Sequence, residues 1–279
     1  MDDNLSMIPK HAHFFWGNRS MSWLRYMSVW SFIKQNPDWP VTLWLNTPEK
    51  ELDVVLTHEQ KNITEEGDID YMLLLQTMGV EVKQIALAGF DGVSPCHKGD
   101  FFKWMLMGAD GGYYLDMDIL FIKPMDSLVE TLEKDGYDTV LGFYRFYQIG
   151  ILASAPQNPF FHDVLRLAHK AYSAGDYNSS GVVAFRDAYK TPNDIEKSFP
   201  CKVYNMPKSM FYPLGAGGHS GEIAHLFESE LDFGIRPDTI GIHWFAGSPI
   251  SQKWIRVLDC NSYKKYNTMF CKWLGRVIG

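Results

Sequence analysis

Apolar residues run along this chain in short blocks, some at helical spacing and some with the composition of strands. Residues 12–16, AHFFW, form a run of strand length that Gly17 ends. Residues 23–36 place Leu24, Met27, Trp30 and Ile33 on one helical face, and Asn36-Pro37 closes that helix before a second strand at 41–45. Such a β-α-β beginning predicts a parallel sheet with right-handed crossovers. Residues 57–78 read as a helix with an acidic interruption, 80–85 as an alternating strand, and 89–99 as a loop. Asp100 can cap a helix over 101–107, which is apolar nearly all round, and Ala109-Asp110-Gly111-Gly112 ends it. Residues 113–122 then have the composition of a single strand buried on both faces.

Lys123-Pro124 breaks that strand, and Asp126 caps a short helix to 134. Strands are expected at 139–144 and 150–155, and Asn158-Pro159 starts a helix to about 174. Residues 180–189 suit a helix or a strand, 202–206 and 239–245 are short strands, and 215–219 is a glycine loop without a phosphate-binding pattern. Residues 261–278 carry Tyr263, Tyr266, Phe270, Trp273 and Val277 in alternating three-four spacing, which predicts an amphipathic helix. No internal repeat or linker divides the rest, so 1–260 is expected to be one domain, with 261–279 as a C-terminal helix. The fold class is α/β, with a mainly parallel central sheet and helices on both faces.

The chemistry sits where charge interrupts these apolar blocks. Asp116 and Asp118 are the only charged residues in the 113–122 run, and strand alternation puts them on one face beside Tyr114 and Leu120. Two ionised carboxylates on a buried strand cost several kcal/mol each unless something positive meets them, and a cation is the obvious partner. Lys103 is the only charge inside its apolar helix, three residues from Asp100 and so on the same side. Asp100, Lys103, Asp116 and Asp118 are therefore expected to converge. The spacing alone proves little, since Asp68-Ile69-Asp70 repeats it in an acidic run that reads as solvated loop.

Composition narrows the class further. The 279 residues are 46% hydrophobic, enough for a full core, and carry 33 acidic against 26 basic side chains for a net charge of −7, which argues against a nucleic-acid surface. The N-terminus lacks a signal-peptide core and no apolar stretch is of membrane-spanning length, so a soluble, cytoplasmic protein is expected. Cys96, Cys201, Cys260 and Cys271 have no zinc-knuckle spacing and indicate no disulfide scaffold. The basic residues of 261–278 could place that helix on an anionic membrane surface; packing on the domain is the other reading.

Two carboxylates at the end of a buried strand, with no evident nucleophile, suit transfer from a nucleotide diphosphate, because a divalent cation can neutralise the leaving diphosphate. Successive inward side chains on a strand lie about 6.8 Å apart at their bases, so one aspartate can hold a metal while the other holds sugar or ribose hydroxyls. HAHFFWG, GDFFKWMLMGADGGYYLDMDILFIKP and IHWFAGS resemble the blocks of the D-x-D sugar-transferases grouped as glycosyltransferase family thirty-two, and are similar to the catalytic domain of the clostridial glucosylating toxins. That resemblance implies a GT-A fold, a nucleotide-sugar donor with UDP favoured over GDP, Mn²⁺ or Mg²⁺, a glycan or other hydroxyl acceptor, and retention at the anomeric carbon.

Carried over by position, Trp16 would stack on the nucleobase and Asp100 would contact the donor sugar. Lys103 falls where the family has arginine, Asp116 would face ribose and sugar as well as the metal, and Asp118 would hold the metal. His243 resembles the late histidine that completes such metal sites, and a nitrogen ligand suits Mn²⁺ better than Mg²⁺. Gly17, Asn46, Tyr114, Ser248 and Trp254 are expected around the donor. HWFAGSPISQKW departs from the usual late block, leaving open whether Ser248 or Ser251 meets the diphosphate. Two rival readings remain: a haloacid-dehalogenase-type phosphatase, whose first block Asp116-Met117-Asp118 also satisfies, and a nucleotide-sugar-binding module without catalysis.

Overall fold

The computed structural model describes residues 7–17, 20–46, 69–87, 90, 92–215 and 221–279. Its centre is a seven-stranded sheet in the order β3-β2-β1-β4-β7-β6-β8. The strands are β1 (Ala12–Trp16), β2 (Val41–Asn46), β3 (Glu81–Ile85), β4 (Gly112–Leu115), β6 (Thr139–Phe143), β7 (Tyr147–Ser154) and β8 (Val203–Asn205), while β5 (Ile119–Phe121) and β9 (Gly241–His243) form a separate antiparallel pair. β1 runs parallel to both β2 and β4, and only β7 runs against its neighbours. The chain leaves β1 in one direction for β2 and later returns on the other side as β4. Ligands bind at such a switch point, outside the carboxyl ends of the strands.

Both faces of the sheet are covered, as the apolar composition of its strands requires. From β1, Phe14 enters a core with Phe32, Leu43, Leu115 and Phe121, and Phe15 enters a second core with Phe102, Trp104, Phe160 and Phe185. A third core gathers Trp23, Trp244, Trp254, Phe227 and Phe270 around the small sheet. Helix α1 (Trp23–Gln35) is capped by the Ser22 side chain and closed at Asn36. Of the helix expected at 57–78, residues 57–68 lie outside the described residues, and the rest includes a short helix, Met72–Gln76. Thr47, Asp68 and residues 216–219 of the expected glycine loop also lie outside them.

Three expectations are corrected. Helix α2 (Pro95–Ala109) begins after extended Ser94 with Pro95 in its first turn, so Asp100 is an interior residue and not its cap. The run at 113–122 is two strands and not one: β4 ends at Leu115, Met117 and Asp118 make a turn, and β5 continues in the other sheet. The amphipathic helix at 261–278 is broken into a 3-10 turn at Ser262–Lys265 and α4 (Met269–Ile278), which Thr268 caps. α4 follows α3 (Pro249–Val257), and its Phe270, Cys271, Leu274 and Val277 are buried in the third core. Lys272 donates to the Glu230 carbonyl at 2.6 Å and Arg276 pairs with Asp232 at 3.1 Å. The apolar face that membrane contact would need is thus already covered. Among the described residues no helix is long and apolar enough to cross a membrane, and Cys201, Cys260 and Cys271 form no disulfide.

Two glycines fix the approach to the site. Gly111 and Gly112 have φ of +70° and +91°, and a Cβ on Gly111 would strike the Ser154 carbonyl. Only glycine lets α2 turn tightly enough for β4 to enter between β1 and β7.

Candidate active site

A cavity of about 510 Å³ opens at the carboxyl ends of β1 and β4, within the range of small-molecule sites. Its walls include Trp16 and Gly17 after β1, Asp100 and Lys103 on α2, and the turn carrying Asp116 and Asp118. The turn is where the chain crosses between sheets. The Asp116 N–H still donates to the Gly150 carbonyl of β7 at 2.8 Å, while the Asp118 carbonyl already accepts from Trp244 N–H at 2.8 Å. Ile119 pairs in register with His243, which delivers the histidine to the aspartates.

Ligand atoms of Asp116, Asp118 and His243 all lie within 4.8 Å of one another. His243 Nε2 is 3.1 Å from Asp118 Oδ1 and 3.9 Å from Asp116 Oδ2. Asp118 Oδ2 accepts from Ala246 N–H at 2.8 Å, so one oxygen is anchored and the other faces the cluster. His243 Nδ1 accepts from Phe245 N–H at 3.2 Å, which assigns the ring proton to Nε2. The Tyr212 ring stacks on the imidazole at 4.9 Å, and its hydroxyl accepts from Gly150 N–H at 3.1 Å. Gly150 makes room for all of this: a Cβ there would lie 2.7 Å from Asp116 Oδ2 and 2.9 Å from His243 Nε2.

Beside this cluster Lys103 is 4% exposed, with its Nζ 3.3 Å from Asp100 Oδ1, 3.5 Å from Asp116 Oδ1 and 3.3 Å from the Ile149 carbonyl. The Tyr114 ring lies 4.9 Å away. Burial works against the ammonium, but Asp116, Tyr114 and Asp100 outweigh it and hold its pKa well above the ordinary lysine value. Burial would likewise raise the Asp116 carboxyl, yet Lys103 and His243 bring it down to about 2. For Asp100 burial prevails, and its carboxyl is raised in spite of Lys103 and the Ser180 hydroxyl, which donates to Oδ2 at 3.0 Å. Lys103 thus lowers both carboxyls, and they end apart because burial prevails at Asp100 while His243 adds to the lysine at Asp116.

The structure brings together Trp16, Gly17, Asp100, Lys103, Tyr114, Asp116, Asp118 and His243. Four others stand apart. Asn46 ends β2, buried, and does not line the cavity. Trp254 packs between Phe227 and Tyr266 in the third core. Neither late serine reaches the wall: Ser248 caps α3 and Ser251 is fully buried, donating to the Trp244 carbonyl at 2.5 Å, so Ala246 and Gly247 line the cavity in their place. Gly150, Tyr212, Tyr177 and Arg25 are among the lining residues that escaped the sequence reading. Arg25 had a signal, being the only charge among residues 21–33, the criterion that singled out Lys103.

Comparison with known proteins bears on the fold and on residues 22–134. Residues 22–134 match the family model described as a glycosyltransferase sugar-binding region containing a DXD motif. No curated protein matches. Among solved structures, the apo-form glycosyltransferase GlyE of Streptococcus pneumoniae is similar with a TM-score of 0.51 at 14% identity, covering 97% of this chain and 61% of that one. The chain therefore spans only 61% of the GlyE structure. Mouse xyloside xylosyltransferase 1 has a TM-score of 0.47 at 11% identity over 86% of this chain and 99% of its own. The galactosyltransferase LgtC, in complex with donor and acceptor sugar analogs, has 0.45 at 12% identity over 84% and 86%. The phosphatase reading falls with the family match and with the place of Asp116, after the fourth strand of the chain and not the first. The chain has the GT-A fold, and its residues 22–134 match the glycosyltransferase sugar-binding region containing the DXD motif.

Proposed function

We propose that this glycosyltransferase moves a hexose from a nucleotide-diphosphate sugar, UDP-linked by preference, to a hydroxyl of a glycan-type acceptor, with a divalent cation and with retention at the anomeric carbon. The observation that carries the reading is the cluster of Asp116, Asp118 and His243 in the cavity wall, with a buried lysine beside it. Its donor set, two carboxylates and an imidazole, fits a cation of the Mn²⁺ type. Asp118 Oδ1, an Asp116 oxygen and His243 Nε2 would hold the ion, with the neutral imidazole then carrying its proton on Nδ1 in place of Nε2. Once bound, the ion supplies Lewis-acid stabilisation of the leaving diphosphate.

The chain's own residues supply the rest. Lys103 adds positive charge that the leaving group meets, Asp100 and Asp116 orient sugar and ribose hydroxyls, and the cavity keeps water from the donor. Trp16 provides the surface for the base, with Gly17 beside it. The catalytic domain comprises 1–260, closed by the C-terminal piece 261–279, whose α4 is built into the third core. Retention and the preference for UDP are supported by the resemblance of the three sequence blocks.

The test is incubation with a panel of UDP- and GDP-sugars plus Mn²⁺, reading nucleotide release and product. One donor is expected to be consumed, and full activity in excess chelator would reject the metal. Nucleotide release that never yields a glycosylated product would favour a binding module with residual hydrolysis. Trp16→Ala is expected to weaken nucleotide binding by about 1–3 kcal/mol, the range for bases stacked on aromatic side chains. Titration calorimetry with UDP checks it; unchanged affinity in a folded variant would return Trp16 to a packing role.

A further inference from the structure

Among the described residues, three Arg or Lys side chains line the cavity. Lys103 faces Asp100 and Asp116, and Arg186 faces Asp187, whereas Arg25 has no carboxylate within ion-pair distance among the described residues. It is nevertheless 8% exposed. Its guanidinium carbon lies 5.3 Å from the Trp16 ring and 5.4 Å from the Trp244 ring, and Nη1 donates to the Met117 carbonyl at 3.3 Å. Its Nε is buried without a hydrogen-bond partner. A guanidinium is always charged, and burying it unpaired costs several kcal/mol that a methionine or leucine would spare a core. Packing alone does not account for it.

What it touches suggests the reason. Met117 is the middle residue of the D-x-D turn, Trp16 ends β1 at the cavity, and the Trp244 N–H holds the Asp118 carbonyl. We propose that Arg25 is a positioning residue of the donor site. It holds the D-x-D turn by its central carbonyl while its guanidinium lies over the two indoles. The inference rests on the metal-dependent donor site proposed above. The carbonyl between Asp116 and Asp118 sets the direction in which both side chains leave the turn, so anchoring it preorganises the pair for a cation. The planar fork is suited to such anchoring, because one nitrogen reaches the carbonyl while the delocalised cation lies over two aromatic rings, an arrangement a lysine cannot reproduce.

The test is Mn²⁺ uptake without nucleotide, followed by electron paramagnetic resonance, for the native chain, Arg25→Lys and Arg25→Met, with melting temperatures alongside. Groups that orient ligands from behind are worth roughly 10- to 100-fold in metal affinity, so Arg25→Met is expected to weaken uptake by that factor. Arg25→Lys, which keeps the charge and a donor but not the plane, should fall between the two. Should Arg25→Met not fold, Arg25→Lys alone decides. Native Mn²⁺ affinity in a folded variant, whatever its melting temperature, would overturn the inference while leaving the donor-site reading in place. A native chain that takes up no Mn²⁺ would remove the metal reading and this inference together.

Discussion

Lys103→Met is expected to lower kcat by about a hundredfold or more while changing the affinity for free UDP far less. The side chains match in length, so the change removes charge and little volume. In the native chain the ammonium is shared between Asp100 and Asp116, at 3.3 and 3.5 Å. As the bond between sugar and phosphate breaks, negative charge grows on the diphosphate, and a buried cation held ready is worth more to that state than to the ground state. Lys103→Arg should keep part of the activity, since the charge survives and only reach and fork change. Native turnover in Lys103→Met would leave the lysine a purely structural counter-charge.

The same substitution has a pH signature. Asp116 titrates at about 2 in the folded chain, below its ordinary value of 3.8. Its contribution to stability is thus fully present above the ordinary value and lost as pH falls through about 2. Lys103 has the opposite sign: its raised pKa contributes below the ordinary lysine value, neutral pH included, and is lost only as pH rises through the folded value. Without the ammonium, burial pushes the Asp116 carboxyl upward. The stability that Asp116 contributes above its ordinary value is therefore missing from Lys103→Met at neutral pH, and the step in stability that the native chain loses as pH falls through about 2, followed by circular dichroism, should be absent from the variant.

The blocks that read correctly in the sequence are those in which one local signal decides. Residues 12–16 become β1 because an apolar run of that length, closed by Gly17, can be buried on both faces, and α1 obeys the spacing of Leu24 and Met27 up to Asn36. The run at 113–122 misled because alternation describes a strand only while its ladder partners continue. β7 accompanies β4 as far as Leu115, and β5 takes β9 as its neighbour from Ile119 onward. Asp116 and Asp118 converge through the crossover between two sheets, a tertiary fact that no residue pattern announces. Asp100 misled for a related reason: an aspartate before an apolar helix looks like a cap, and its true neighbours, Lys103 and Ser180, include one from eighty residues further along.

Gly150 and Tyr212 lay beyond any local rule. A glycine inside an apolar strand has no signature until the atoms its Cβ would displace are known. Trp254 shows the opposite hazard, since a tryptophan near a matched block is as useful to a core as to a ligand, and here Phe227 and Tyr266 enclose it. Arg25 was legible on the criterion applied to Lys103, an isolated charge in an apolar helix. What the sequence could not supply was its surroundings, two indole faces and the Met117 carbonyl.

Asp118→Asn is expected to abolish Mn²⁺ uptake and turnover together while leaving the fold nearly as stable as the metal-free native chain. The amide oxygen can still accept from Ala246 N–H, as Asp118 Oδ2 does at 2.8 Å, and the backbone carbonyl keeps its bond from Trp244 N–H. What goes is the negative charge beside His243 Nε2, now at 3.1 Å, and with it one of the two carboxylates a cation would meet. Asp118→Ala would be a poorer probe, because losing the Ala246 bond mixes a structural cost of about 1 kcal/mol or more into the result. A ligand that binds only the folded chain stabilises it by about 2.7 kcal/mol at a hundred times its Kd. Mn²⁺ at that excess should therefore raise the melting temperature of the native chain and leave that of Asp118→Asn unmoved, with both melting together in chelator. A variant that still gains stability from Mn²⁺ would place the cation elsewhere in the cavity. One that melts far lower in chelator would make Asp118 a structural tie between β5 and β9 before it is a ligand.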